Sequence, residues 1–221
     1  MAAKEKKKVI LFDLDGTLTD PMIGITKSVQ YALKKYGIIE EDLWNLTKFI
    51  GPPLKESFME FYGFSEEEGQ KAVEYYREYY APVGIYENQV YEGLEKMLAA
   101  LKEKGLSLCV ATSKPERFAK MILDHFHLDS YFDLIGGALM DGRTDKAEVI
   151  SYVLAQLDTK KEKVVMVGDR EHDVLGARKN GLDSIGVLFG YGNEEELKEA
   201  GADWIAKDMT ELGNLLVTLA E

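Results

Sequence analysis

Two aspartates near the start of the chain have a spacing that suits phosphoryl-transfer chemistry. Asp13 and Asp15 follow the apolar run 9–11, which predicts a buried parallel strand. Because side chains alternate along a strand, the two carboxylates point the same way, and Gly16 lets the chain turn away sharply. Two like charges held this close require a cation nearby. The segment 12–17 therefore predicts a reactive or metal-binding pair at the carboxyl end of a strand, where open α/β sheets bind their ligands.

A second segment, 108–115, combines an apolar strand pattern with a hydroxyl-rich turn. Thr112 lies at the predicted end of the strand, and Pro115 suits the first turn of a following helix. A hydroxyl group and the backbone N–H groups of a helix start can bind an anion. By itself the pattern indicates no more than a helix cap.

Two later segments add positive and negative charge. Lys146 opens a predicted helix, where it could place a point charge on a phosphate or simply be solvated. The apolar run 164–167 ends in Gly168-Asp169, and Asp173 follows four residues later. If a helix begins here, Asp169 and Asp173 lie near one face. Carboxylate oxygens of this kind suit Mg²⁺ rather than zinc.

These four segments each fall at the end of a separate predicted strand or in a loop beside one. A single crevice at the edge of a parallel sheet could therefore collect all of them. Together they supply a nucleophile, a metal site and positive charge for the equatorial oxygens of a phosphoryl group. The sequence thus predicts a phosphoryl-transfer site, although each segment alone has an ordinary structural explanation.

The elements that must position these residues alternate between strands and helices. Apolar runs predict strands at 9–13, 106–112, 134–137, 164–168, 184–188 and, more weakly, 204–206. Helical patterns lie near 91–104, 115–126, 145–157, 172–180, 194–200 and 208–220. This alternation predicts an α/β fold with a doubly wound, Rossmann-like parallel sheet covered on both faces.

The interval from about 18 to 89 breaks the alternation and is too long for an ordinary connection. Helical patterns occur at 25–36, 41–49 and 54–62, and Ser65 with Glu68 matches a capping box that opens a helix through Tyr80. We therefore predict an all-helical cap domain at 19–87, inserted into a core formed by 1–18 and 88–221. Its many aromatic residues would mostly hold this small bundle together, with one or two lining a substrate pocket.

Composition excludes several classes of partner. The 221 residues carry 27 basic and 39 acidic side chains, a net charge of −12, which disfavours binding to nucleic-acid polymers and anionic membranes. The single cysteine, Cys109, lies in an apolar run and predicts a buried structural thiol. The charged start of the chain and the lack of a long apolar stretch predict a cytoplasmic protein.

Over the whole chain, including the helical insertion, the motifs resemble the haloacid dehalogenase superfamily of phosphohydrolases. The resemblance implies that Asp13 is the nucleophile, which forms an aspartyl-phosphate, and that Asp15 is the general acid and base. Thr112 would bind the phosphoryl group, with help from the backbone of Ser113 and Lys114. No motif position departs from the family pattern, so the resemblance implies an active enzyme.

The resemblance also implies a metal site and a phosphate-binding lysine. Lys146 matches the motif lysine, and Mg²⁺ would be held by Asp13, the main-chain carbonyl of Asp15, and Asp169. Asp173 would bind the ion directly or through water. The implied partner is a small phosphorylated metabolite, and the implied state is a monomer or homodimer.

Finer motifs resemble a subgroup described as 5′-nucleotidase-like or phosphoglycolate-phosphatase-like. They are found at 19–26, 50–54, 84–88, 111–115, 167–173 and 190–192. The best prediction is a nucleoside 5′-monophosphate substrate. The alternatives are phosphoglycolate and then another phosphatase, a pyrophosphatase or a sugar phosphomutase of the same superfamily. Lys48 and Gly51 are the candidates for leaving-group contacts, although Lys48 could equally be a solvated surface charge.

A receiver-type signalling module is the main alternative outside enzymes. Such modules also phosphorylate an aspartate beside Mg²⁺, a hydroxyl group and a lysine. They lack an acid/base two residues after the nucleophile and a long inserted domain. Asp15 and the interval 18–89 therefore favour the enzyme.

Overall fold

The part of the chain that the structure describes contains eight short strands, and six of them form one parallel sheet. The computed structural model describes residues 5–139, 143 and 145–221. The strands are β1 (Val9–Phe12), β2 (Thr19–Asp20), β3 (Gln89–Val90), β4 (Ser107–Pro115), β5 (Leu134–Ala138), β6 (Val164–Gly168), β7 (Asp183–Val187) and β8 (Trp204–Ala206). The six-stranded sheet has the order β5-β4-β1-β6-β7-β8, whereas β2 pairs with β3.

Nine α-helices accompany these strands in the described residues. They are α1 (Met22–Lys35), α2 (Leu54–Tyr62), α3 (Glu66–Tyr80), α4 (Leu94–Glu103), α5 (Glu116–His125), α6 (Lys146–Ala155), α7 (Glu171–Lys179), α8 (Glu194–Ala200) and α9 (Met209–Ala220). The chain divides into two compact units, Met1–Thr19 with Val90–Glu221 and Asp20–Gln89. The predicted α/β sheet with an inserted group of helices is confirmed. No helix in the described part of the chain is long and apolar enough to cross a membrane.

The central position of β1 determines where the sheet can present functional groups. Val9 of β1 pairs with Ser107 of β4 on one side and with Val164 of β6 on the other, and the register continues unbroken to Phe12. The carboxyl ends of these three strands therefore lie side by side. The strands are almost wholly buried, as the continuous apolar runs predicted.

One face of the sheet packs on α6. Val149, Ile150 and Val153 of this helix form a core cluster with apolar residues of β1, β4 and β6. Cys109 belongs to the cluster and is a free thiol, and its burial raises its pKa to about 11. The prediction that Cys109 is a buried residue is thus correct, and the thiol is unreactive at neutral pH.

The end of β4 differs from its prediction. The strand continues through Pro115 instead of turning at Thr112, and its register against β5 shifts between these two residues. Such a bulge bends a strand and redirects its side chains. The hydroxyl-rich segment is therefore the bulged end of a strand, which the apolar pattern could not indicate because the pattern stops at residue 111.

The smaller unit is helical, as predicted, with one change of helix type. Residues Leu43–Phe49 form a 3₁₀ helix rather than an α-helix. Ser65 and Glu68 form the predicted capping box at the start of α3, with reciprocal hydrogen bonds of 2.8 and 3.2 Å. An aromatic cluster packs inside this unit, and the ring of Phe49 lies 4.9 Å from that of Phe58.

Candidate active site

Three buried aspartates converge beyond the carboxyl ends of β1 and β6. Asp13 follows β1 and donates its N–H to the carbonyl oxygen of Val167 over 2.9 Å, while Asp169 follows β6. Asp173 comes from the first turn of α7. Carboxylate oxygens of the three residues lie within 4.8 Å of one another, and each residue is at most 6% exposed. We call Asp13, Asp169 and Asp173 the aspartate cluster.

Lys146, the first residue of α6, neutralises part of this cluster. Its Nζ lies 2.7 Å from an oxygen of Asp13 and 2.7 Å from an oxygen of Asp173, and it donates to the Ala111 carbonyl over 3.1 Å. Burial alone would lower the pKa of Lys146, but the two carboxylates outweigh it and raise that pKa. The lysine therefore remains charged, and the solvated-lysine interpretation is excluded by its 6% exposure.

The cluster still carries more negative charge than Lys146 can balance. Burial and the charges of Asp173 and Asp13 raise the pKa of Asp169 well above its usual range. Burial likewise raises the pKa of Asp173 to about 6, although Lys146 opposes this shift. The Oδ1 atom of Asp169 is buried and has no hydrogen-bond partner among the described residues. A hard divalent cation fits this set of oxygen donors, so the cluster is a candidate divalent-metal site.

Asp15 has different surroundings from Asp13, although only one residue separates them. It is not part of the aspartate cluster, and its Oδ2 forms an ion pair with the Nζ of Lys114. Both side chains are close to fully buried. Burial raises the pKa of the Asp15 carboxyl, while the charge and hydrogen bond of Lys114 act in the opposite direction.

The bulged end of β4 places Thr112 and Lys114 next to each other. Thr112 is 2% exposed, and its Oγ1 accepts a hydrogen bond of 3.2 Å from the N–H of Lys114. Ser113 between them is partly exposed. The phosphate contact predicted for the Lys114 backbone stays a prediction: its N–H bonds to Thr112 within the bulge, and its ammonium group pairs with Asp15. Only the fold could reveal this ion pair, because 99 residues separate its partners.

The loop after β7 covers Asp169 with glycines and a backbone donor. The N–H of Tyr191 donates to Asp169 Oδ2 over 2.7 Å. A Cβ at Gly190 would overlap both Asp169 and the carbonyl oxygen of Gly16, and one at Gly192 would overlap the Asp169 carbonyl. In the sequence, residues 190–192 served only as part of a subgroup resemblance. Their Gly-x-Gly spacing is the sequence feature that could have indicated the close approach of this loop to Asp169.

The predicted specificity residues, Lys48 and Gly51, belong to the helical unit. The Nζ of Lys48 lies 4.5 Å from the ring centroid of Phe61 and 5.4 Å from that of Tyr62, in cation–π geometry. Gly51 has a φ of 104°, which favours glycine. Their contact with a leaving group remains a prediction.

Comparison with known proteins identifies the family. A family model described as haloacid dehalogenase-like hydrolase matches residues 10–187. The chain belongs to this family. A 5′-nucleotidase from Pseudomonas aeruginosa is 48% identical over 208 residues, which is 94% of each chain. The tyrosine-protein kinase PtkA of Mycobacterium tuberculosis is 40% identical over 98% of this chain and 72% of its own.

Solved structures agree with the family assignment. The crystal structure of a predicted phosphatase from Clostridium acetobutylicum superimposes with a TM-score of 0.93, at 51% identity over 97% of this chain and 99% of that one. The haloacid dehalogenase resemblance that the motifs indicated is confirmed, and the protein is a phosphatase of this family.

Proposed function

We propose that the protein is a Mg²⁺-dependent phosphatase that hydrolyses nucleoside 5′-monophosphates through an aspartyl-phosphate. The observation that carries the proposal is the buried aspartate cluster with Lys146 at its edge. Mg²⁺ would be held by Asp13, Asp169, Asp173 and the main-chain carbonyl of Asp15. When bound, Mg²⁺ supplies the positive charge that lets a phosphate dianion approach these carboxylates.

In the proposed first step, a carboxylate oxygen of Asp13 attacks the phosphorus atom. A bond forms between that oxygen and phosphorus while the bond from phosphorus to the ester oxygen breaks, and Asp15 gives its proton to the departing oxygen. Lys146, Thr112 and the backbone N–H of Ser113 stabilise the charge on the phosphoryl oxygens. The burial that raises the Asp15 pKa favours the protonated form that this role requires.

In the second step, water attacks the phosphorus atom of the aspartyl-phosphate. Asp15, now deprotonated, accepts a proton from that water, and the bond between phosphorus and the Asp13 oxygen breaks. Inorganic phosphate leaves, and Asp13 and Asp15 return to their starting forms. The same residue thus acts as acid in one step and as base in the next.

The Pseudomonas aeruginosa relative supports the nucleotide substrate, because it is a 5′-nucleotidase 48% identical to this chain over nearly its whole length. Relatives named phosphoglycolate phosphatase are more distant, at 27% identity for the one from Vibrio parahaemolyticus.

We propose that residues 19–87 act as a cap domain on the core of 1–18 and 88–221, with Lys48 and Gly51 contacting the leaving group. The cytoplasmic location and the monomeric or homodimeric state remain predictions.

The test is release of inorganic phosphate from a panel of phosphomonoesters, with Mg²⁺ and with a chelator. The panel contains nucleoside 5′-monophosphates, phosphoglycolate, sugar phosphates and pyrophosphate. We expect Mg²⁺-dependent release, with the highest kcat/KM for nucleoside monophosphates. Asp129→Asn, at an exposed position, serves as the carboxylate control for Asp13→Asn. A stable acyl-phosphate without turnover would indicate the receiver-type module, and isomerised sugar phosphate without phosphate release would indicate a mutase.

A further inference from the structure

The metal-binding segment 168–173 is held in place by more than its own helix. Asp169 precedes α7, which begins at Glu171, so helical geometry does not determine where the Asp169 carboxylate points. The helix that would have put Asp169 and Asp173 on one face begins two residues later than the sequence-based expectation required, although their carboxylates converge. The carboxylate of Asp173 accepts a 3.1 Å hydrogen bond from the N–H of Arg170, which closes the segment on itself. Contacts from other elements of the fold also hold the segment 168–173 in position.

Glu196 of α8 provides such a contact at two consecutive residues. One carboxylate oxygen, Oε1, accepts from the Nε of Arg170 over 2.8 Å and from the backbone N–H of Glu171 over 2.9 Å. The side chains of Arg170 and Glu196 are 18% and 17% exposed, so solvent screens this pair less than an ordinary surface ion pair. The same oxygen thereby ties α8 to the side chain and to the main chain of the segment.

The neighbouring glutamates of α8 do not share this arrangement. Glu194 pairs with Lys198 on the exposed side of the helix, and Glu195 is also exposed. Glu196 is additionally fixed through its backbone, because its N–H donates to the side chain of Asn193 over 3.0 Å. The first turn of α8 thus contains one glutamate facing the site and two facing solvent.

We propose that Glu196 is a positioning residue for the metal site. By fixing Arg170 and Glu171, it holds Asp169 and Asp173 in the positions where their carboxylates converge with that of Asp13. Tyr191, from the loop that precedes α8, fixes Asp169 directly. This inference rests on the proposed Mg²⁺-dependent function. Outer groups that orient metal ligands typically contribute about 10- to 100-fold in metal affinity.

The experiment measures Mg²⁺ binding by calorimetry without substrate, together with kcat and KM at several Mg²⁺ concentrations. We expect Glu196→Ala to raise the Mg²⁺ Kd about 10- to 100-fold. Saturating Mg²⁺ should restore most of kcat with little change in KM. Glu196→Gln retains an oxygen that can accept from Glu171, so it should recover part of the affinity. Glu195→Ala and Glu195→Gln are the matched controls and should bind Mg²⁺ like the parent.

Two results would overturn the proposal. One is a Glu196→Ala variant that binds Mg²⁺ as tightly as Glu195→Ala. The other is an activity loss that saturating Mg²⁺ fails to restore and that accompanies a lower unfolding midpoint in chelator, since a merely structural role predicts this. If Glu196→Ala fails to fold, the Mg²⁺ affinities of Glu196→Gln and Glu195→Gln are compared instead, and equal affinities would overturn the proposal. Failure of the proposed function would instead appear in the parent, as absent Mg²⁺ binding or absent phosphate release.

Discussion

The two aspartates of the first motif have different partners, and we call the surroundings of each carboxylate one side of the site. On one side, Asp13 lies among two further aspartates and shares Lys146 with Asp173. On the other side, Asp15 forms an ion pair with Lys114 and is not one of the three clustered carboxylates. The first side gathers excess negative charge, which suits a metal and a nucleophile, whereas the second holds one carboxyl against one ammonium, which suits a group that must gain and lose a proton.

The strongest test of this difference is to replace each of the two aspartates by asparagine in turn. Asp13→Asn should lower kcat about 10⁴-fold or more because no acyl-phosphate can form. Asp15→Asn should lower kcat about 10²- to 10⁴-fold, the range for losing a general acid and base. Rapid-quench trapping of phosphoenzyme from labelled substrate would separate the two variants. Phosphoenzyme in Asp13→Asn would contradict the assignment of the nucleophile.

Replacing Lys146 or Lys114 by methionine tests whether the surroundings of Asp13 and of Asp15 differ in their effect on stability as well as in chemistry. Lys146→Met leaves the buried aspartate cluster without its cation, and removing one partner of a buried ion pair typically costs about 3–5 kcal/mol. We expect most of that loss in the free energy of unfolding at pH 7.5 in chelator, and less at pH 5, where Asp173 can protonate. Urea titrations at the two pH values measure it. An equal loss at both would argue against charge as the cause.

Lys114→Met should affect the surroundings of Asp15 and change mainly the pH profile of kcat/KM. Burial raises the pKa of Asp15, and Lys114 opposes that rise, so removing the ammonium should raise the pKa further. The fall in kcat/KM that follows deprotonation of the acid should then move to higher pH. The matched control is Lys120→Met, an exposed lysine on α5. An unchanged profile at saturating Mg²⁺ would mean that Lys114 does not control the protonation of Asp15.

The smallest expected effect is the pH dependence of stability without metal. Asp173 binds its proton more tightly in the folded chain, with a pKa raised to about 6, than in the unfolded chain. Between pH 4 and about 6 the folded state therefore holds more of this proton, and the contribution of Asp173 to stability falls as pH rises through this window. Protons compete with Mg²⁺, so the rise in melting temperature on adding Mg²⁺ should be larger at pH 7.5 than at pH 5. Thermal melts at the two pH values, with and without Mg²⁺, measure the pH dependence of stability and the rise in melting temperature on adding Mg²⁺.

The sequence was sufficient to predict that the aspartate cluster and Lys146 come together, because the aspartates lie at or near the ends of predicted strands and Lys146 opens a helix that follows a strand. Parallel strands bring such ends together whatever the intervening chain does, so the prediction needed only the order of elements. The contacts between Lys114 and Asp15 and between Glu196 and Arg170 could not be predicted in this way. They depend on side-chain directions at a bulge and at a helix start, and no periodic pattern encodes these directions.

The matched register on both sides of β1 also has a consequence for hydrogen exchange in the strand that leads to the site. The backbone of the segment leading to Asp13 is hydrogen-bonded in two ladders at once, and the Asp13 N–H itself is bonded to Val167. Each of these amides exchanges with solvent only when its own ladder opens, and such openings in core strands have free energies toward that of global unfolding. Asp13, the proposed nucleophile, thus ends a segment whose amides we expect to be among the slowest of the chain to exchange.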